Sequence, residues 1–191
     1  MLDFLYHMDA ALLRFFNQSC ANPLADQLAQ WFRSPWFWAP VYLFMLVYAL
    51  RAHGMRGLWW CAFFLATFLF CDYLSASVVK TLVQRIRPCR ADGLAIRELV
   101  ICGSGFSFPS THATNHFGFA TFITLTLRIF FPRVAWWAYG WALLVCLSQL
   151  YCGVHYPSDI LGGALMGTLL GLWNARYFLR RIGWGVQYEA L

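Results

Sequence analysis

Five apolar stretches, at 35–50, 58–79, 109–131, 134–151 and 160–178, set the terms on which this chain can fold. A helix needs about 20 mostly apolar residues to cross a bilayer, and the first stretch is near the minimum. Backbone polar groups have no water to bond in hydrocarbon, so each stretch satisfies its own as a helix. The composition agrees: 61% of the 191 residues are hydrophobic and only 12% charged, against about 25% charged in a soluble domain. Ten Trp and eighteen Phe suit a lipid-facing surface with aromatic belts at both interfaces. The net charge of +6 comes without a basic stripe or an RNA-binding pattern, so nucleic acid is not an expected partner. The reading is an all-α polytopic membrane bundle of about five transmembrane helices, one domain over residues 1–191.

The first residues are not a signal peptide, since they lack a basic leader and Asp9 and Arg14 interrupt the apolar run. Leu2, Leu5, Met8, Leu12, Phe15 and Phe16 recur at helical spacing, which predicts an amphipathic helix lying in the interface. A second amphipathic stretch, Leu24 to Phe32, follows Asn22-Pro23. Residues 1–33 are thus interfacial, 34–178 form the transmembrane core, and 179–191 are a cytoplasmic tail.

Counting crossings places the polar connections. Take the face holding the long connection from Lys80 to Ser107 as side A. The second stretch ends there, the third begins there, the fourth ends there and the fifth begins there. His112 and His155 therefore share one face with Lys80 and Arg87. Side B carries Arg51, Arg56, Arg128, Arg133, Arg176, Arg180 and Arg181 against one acid, Glu189. Side A has as many basic residues, but Lys80 and Arg87 are set aside for a site and most acids lie there too. The bias puts side B in the cytoplasm and predicts a cell-membrane protein whose site faces the extracytoplasmic side.

Three segments carry chemistry. Lys80, Gln84 and Arg87 fall at i, i+4 and i+7, one face of a helix continuing out of the second stretch until Pro88 ends it. Two cations there suit a phosphate, and equally suit ordinary headgroup contact. Ser107 is a candidate helix cap, with Pro109 tolerated in the first turn. Ser110 and Thr111 then present amides and hydroxyls at a helix start, an anion site. His112 sits on the same turn, placed for proton transfer, while Asn115 and His116 lie one turn deeper as packing groups or supports for the site. His155 and Asp159 are four apart around Pro157. Asp159 can fix the tautomer of His155 and free its other nitrogen for attack, or simply cap the fifth helix. No HExxH or Cys/His pair spacing points to zinc.

Taken together, Lys80-x6-Arg87-Pro88, Pro109-Ser110-Thr111-His112 and Ser148-x6-His155-x3-Asp159 resemble the three signatures of the type 2 phosphatidic acid phosphatase and vanadium haloperoxidase superfamily. The resemblance implies a metal-independent phosphatase without a cofactor. In it His155 would form a phosphohistidine, Asp159 would orient it and His112 would protonate the leaving oxygen. Lys80, Arg87, Ser110 and Thr111 would hold the phosphoryl oxygens. Thr111 stands where the family usually has glycine. Gln149 stands where it usually has an arginine, so the substrate-binding set loses a charged hydrogen bond of about 1.5–3 kcal/mol unless Arg85, Arg90 or Arg97 replaces it.

The expected substrate is an amphiphile reaching the site from the bilayer: undecaprenyl diphosphate, phosphatidylglycerophosphate, phosphatidic acid or a lipid A phosphate. The rivals are a non-catalytic lipid-phosphate-binding protein, for which Gln149 speaks, and a lipid phosphotransferase. Haloperoxidase activity does not suit a chain built for a membrane. Two smaller signals remain. Cys89 and Cys102 share the side A connection, where an oxidising compartment permits a disulfide. Gly163, Gly167 and Gly171 repeat every four residues, allowing close helix contact within the monomer or across a homodimer.

Overall fold

The computed structural model describes residues 2–185 and, among them, contains helices and connections but no strand. The side chains of Leu2 and Leu5, and the tail beyond Gly185 with Glu189, lie outside what it describes. α1 (Leu2–Arg14) runs through a π-helical turn, Phe15–Ser19, and α2 (Pro23–Arg33) follows. α3 (Pro35–Asp72) passes through a second π-helical segment, Tyr73–Val79, into the short α4 (Lys80–Val83). α5 (Thr111–Leu127), α6 (Val134–Tyr151) and α7 (Pro157–Arg181) complete the bundle.

By length and composition, Pro35–Val83 is able to cross a membrane, but it is not one straight rod. Gly54 takes φ 53° and ψ −125°, a conformation only glycine enters at low cost. The chain reverses there, so a Cβ on Gly57 would strike the carbonyl of Ala49 and Cys61 Sγ lies 4.0 Å from Leu46 O. The predicted break at 51–57 is therefore a hairpin, and two antiparallel limbs stand where the sequence suggested two. With α5, α6 and α7 they make five long limbs among the described residues.

α7 shows how the bundle is turned relative to a water-soluble one. Leu161, Leu165 and Leu169 point outward at 71%, 64% and 57% exposure. Gly163, Gly167 and Gly171 face inward, where a Cβ would meet Ser110 O, Thr114 O and Gly118 O of α5. The glycine stripe is therefore spent on a close contact inside the chain. Trp36 near one end and Trp136 and Trp137 near the other also stand out from the surface. Large apolar side chains outside and small ones between helices suit lipid as the solvent.

α1 follows the same logic. Met8, Leu12 and Phe15 of its predicted apolar face are exposed, while Ala10 and Leu13 are buried, Leu13 against Cys146, Leu150, Tyr156 and Ile160. Asp9, the acid that interrupts the run, points into the protein and is 8% exposed. The N-terminal segment is thus docked on the side A end of the bundle rather than lying apart from it. Asn17 fastens it, donating to Arg97 O and Tyr151 O and accepting from Arg97 N at 2.8–3.0 Å.

Candidate active site

The long side A connection does not continue a helix. α4 stops at Val83 because Gln84 adopts φ 53°, and Arg87 is extended, as a residue before proline prefers. The expected helical face of Lys80, Gln84 and Arg87 is therefore corrected: Arg87 reaches the site from a loop. That loop is closed by a disulfide between Cys89 and Cys102. Arg87 is gripped by carbonyls, Nε donating to Gly105 O at 2.9 Å and Nη1 to Val154 O at 3.1 Å.

His155 lies between α6 and α7, 2% exposed. Its Nε2 is 3.3 Å from Arg87 Nη1. A guanidinium only donates, so Nε2 is the acceptor and the ring proton sits on Nδ1. Nδ1 faces Ser107 Oγ at 3.4 Å and Asp159 Oδ2 at 3.6 Å. Ser107 Oγ in turn donates to Asp159 Oδ2 at 2.5 Å. Burial pushes the imidazole down to about 4; the nearby Asp159 carboxylate pulls the other way, and the Arg87 charge adds to the fall. At neutral pH His155 is uncharged, its Nε2 lone pair facing Arg87 Nη1 at the cavity wall.

Asp159 is fully buried. It accepts the Tyr156 amide at 2.8 Å as the start of α7 while facing His155. Its Oδ1 pairs with Arg85 Nη1 at 2.7 Å, and Arg85 Nη2 pairs with Asp9 Oδ2 at 2.7 Å. Asp9 Oδ1 accepts from Ser158 N at 2.9 Å, and Ser158 Oγ bonds both Arg85 and Asp9. Burial alone would lower the Arg85 guanidinium, but Asp159 and Asp9 outweigh it and hold it above its ordinary value. Arg85 thus braces the Asp159 carboxylate against Asp9.

On α5 the cap is Ser110, not Ser107. Ser110 Oγ accepts from Ala113 N at 3.4 Å and Ser110 N donates to Asp159 O at 2.9 Å. Ser110 is buried and does not reach the cavity. Thr111 and His112 do line it, at the helix start where amides point outward. His116 bonds the His112 carbonyl at 2.8 Å and packs edge-on to Trp141, the packing role expected of it. Asn115 donates to Asp72 at 3.3 Å.

These groups open onto one cavity of about 860 Å³. Lys80, Arg87, Thr111, His112, Gln149 and His155 line its polar mouth. Its body runs between the limbs of α3, along Leu46, Leu58, Cys61, Phe64, Leu65 and Phe68. Three buried polar atoms on its wall, Thr111 Oγ1, Asn115 Oδ1 and Gln149 Oε1, have no partner among the described residues. None of the three arginines named as replacements at 149 takes that place. Arg85 is paired as above, Arg90 bonds Ser104 O and Gly105 O, and Arg97 pairs with Asp26. Sequence reasoning missed Asp9, Ser107 and Arg85 as supports. A lone acid on an apolar helix was the one visible trace of them.

A family model described as the PAP2 superfamily matches residues 57–182. A lipid A 4'-phosphatase of Bacteroides thetaiotaomicron is 33% identical over 177 residues, covering 90% of this chain and 77% of that one. A lipid A 4'-phosphatase of Porphyromonas gingivalis is 29% identical over 165 residues, covering 83% and 68%. The crystal structure of a transmembrane PAP2 type phosphatidylglycerolphosphate phosphatase from Bacillus subtilis superposes with a TM-score of 0.71 at 24% identity. That match covers 93% of this chain and 87% of the other, and at this identity it speaks for the fold.

Proposed function

The chain belongs to the PAP2 superfamily and is a membrane lipid phosphatase, and we propose that it acts through a phosphohistidine on His155. The observation that carries this is the neutral His155 imidazole, backed by Ser107 and Asp159, at the polar mouth of a cavity whose body is apolar. Such a cavity fits an amphiphile with its phosphate at His155 and its chain between the limbs of α3.

In the first step His155 Nε2 attacks phosphorus, the bond from phosphorus to the lipid oxygen breaks, and His112 gives that oxygen its proton. Water then attacks the phosphohistidine, passing a proton to His112, and the N–P bond breaks to release phosphate. Arg87, Lys80 and Thr111 with the first amides of α5 balance charge on the equatorial oxygens, the main task in phosphoryl transfer. Asp159 acts through Nδ1, holding the tautomer and the growing positive charge on the ring.

Five limbs cross the bilayer in this reading, with Gly54 marking the first cytoplasmic turn and the site on the extracytoplasmic face. Two relatives matching most of their own length are named for lipid A, so a lipid A phosphate heads the substrates to try. Undecaprenyl diphosphate, phosphatidylglycerophosphate and phosphatidic acid complete the panel. The test is phosphate release by purified protein in detergent, with chelator present, for wild type, His155→Ala and Gln149→Arg. Release that survives chelator and vanishes with His155→Ala supports the reading. An inert wild type that gains activity with Gln149→Arg would instead mark a lipid-phosphate-binding protein.

A further inference from the structure

Gln149 leaves the site one cation short, and the fold delivers another from a segment outside all three signatures. α2 is locked along the side A end of α6. Asn22 caps it by accepting from Ala25 N, and its own amide donates to Tyr151 Oη at 3.1 Å. Asp26 accepts from Tyr151 Oη at 2.5 Å and pairs with Arg97. Ala29 is buried against Tyr151, Cys152 and Val154. Asp26, Ala29 and Arg33 fall at i, i+3 and i+7, one face of the helix, so the face anchored at Tyr151 ends with Arg33 over the residues that flank Gln149 and His155.

Arg33 lines the same cavity as Lys80, Arg87, Gln149 and His155. Unlike Arg85 and Arg97, it has no carboxylate within ion-pair distance among the described residues. Its charge is felt by its neighbours: burial pushes the Arg87 guanidinium down, and repulsion from Arg90 and from Arg33 adds to this against the pull of Asp159. Like charges crowded at one cavity wall are costly unless an anion joins them. The buried Gln149 Oε1, unpartnered on the same wall, marks where an arginine's reach is missing.

We infer that Arg33 is a substrate-binding residue, supplying from α2 the phosphoryl contact that Gln149 does not make. The inference rests on the phosphatase reading above and adds a residue to it. The competing account is a cation placed to offset the dipole at the end of α2, which would affect stability and not phosphate.

The test compares wild type, Arg33→Gln, Gln149→Arg and the double variant in detergent, reading kcat/KM on a lipid phosphate and the affinity for inorganic phosphate as a product inhibitor. Arg33→Gln should lower kcat/KM about 10- to 100-fold, the scale of one charged hydrogen bond, and weaken phosphate binding. Gln149→Arg should restore both in the Arg33→Gln background and add little to wild type. Unchanged kcat/KM and phosphate affinity in a folded Arg33→Gln variant would overturn the inference. So would absence of rescue by Gln149→Arg in a double variant that remains folded. If wild type releases phosphate from no lipid, the phosphatase reading fails on its own. Calorimetric binding of inorganic phosphate to wild type and Arg33→Gln then still decides whether Arg33 holds the anion.

Discussion

The two ends of the bundle bury their residues by opposite means. At the end beneath the Gly54 hairpin, Trp60, Phe64, Phe119, Phe122, Phe178 and Trp184 form one aromatic cluster. Two of its indoles share one threonine, Trp60 Nε1 donating to Thr126 Oγ1 at 2.8 Å and Trp184 Nε1 to Thr126 O at 2.6 Å. His53 Nε2 and Trp141 Nε1, packed against the cluster, have no partner among the described residues. At the side A end, Asp9, Arg85, Ser107, Ser158 and Asp159 form a connected polar network. Beside it, the cavity wall keeps Thr111 and Gln149 oxygens without partners among the described residues. Aromatic packing depends on volume and shape, and similar side chains can replace one another. A polar network depends on each donor and acceptor, so a single change leaves a buried group unsatisfied. Function should therefore be brittle at one end and robust at the other.

Asp159→Asn should break the brittle end hardest. It replaces the acceptor shared by Ser107 and Tyr156, which also faces His155 at 3.6 Å, and removes the charge that Arg85 meets. A fall in kcat of about 100-fold or more is expected, measured as phosphate release. The pH profile sharpens the point. Only neutral His155 can attack, and its pKa lies near 4. The acid limb of kcat/KM that belongs to His155 should thus fall near pH 4, with activity lost as pH drops through it. Without the carboxylate, which raises that pKa, the residual activity of Asp159→Asn should show the limb shifted further down. A limb near 6.5 in wild type would mean that His155 is far less buried in solution than here.

Much of this arrangement was legible because crossing parity is a discrete signal. Once five apolar stretches were counted, Lys80, His112 and His155 had to share an end, and they line one cavity. The place of Asp159 at the start of α7 and beside His155 follows from a four-residue spacing around a proline. The supports were not legible, because their contacts have no period. Asp9 and Arg85 are 76 residues apart, and Asp9 and Ser158 are 149 apart. Ser107 looked like a cap because it precedes a helix-start proline. The loop folds it back by bonding Ser107 N to Arg85 O, which aims its hydroxyl at Asp159. The spacing of Arg87 from Lys80 fits a helix, and nothing in Gln84 announces a left-handed turn.

Asp9→Asn tests the reach of the network at its far edge. The side chains of Asp9 and Arg85 are 10% and 24% exposed, so solvent screens the pair in part. A stability loss of about 1–2 kcal/mol is expected, below that of a fully buried pair. Arg85 would keep Asp159 but lose its second anchor, so kcat should drop about tenfold through misplacement of the carboxylate, with KM little changed. Equal kcat in wild type and Asp9→Asn would confine the network to Arg85, Ser107 and Asp159 and make α1 a passive neighbour.

Trp60→Leu probes the opposite end, where the smallest effect on turnover is expected. Trp60 is 1% exposed and stacks on Phe64 at 5.4 Å. Its loss leaves Thr126 Oγ1 without the indole donor and opens space beside Phe122 and Trp184. Thermal unfolding in detergent should register about 2–4 kcal/mol of destabilisation. Turnover per folded molecule should stay within about twofold, because α5 and α7 remain joined between this cluster and the site. That join is the glycine stripe, with Gly167 against Thr114 O and Gly171 against Gly118 O. Backbone packed on backbone has no side chain to yield, so a change of shape below it transmits poorly to His112 and Asp159 above. A tenfold loss of kcat in folded Trp60→Leu would show that the two ends are coupled through α5 and α7, and the contrast between them would fail.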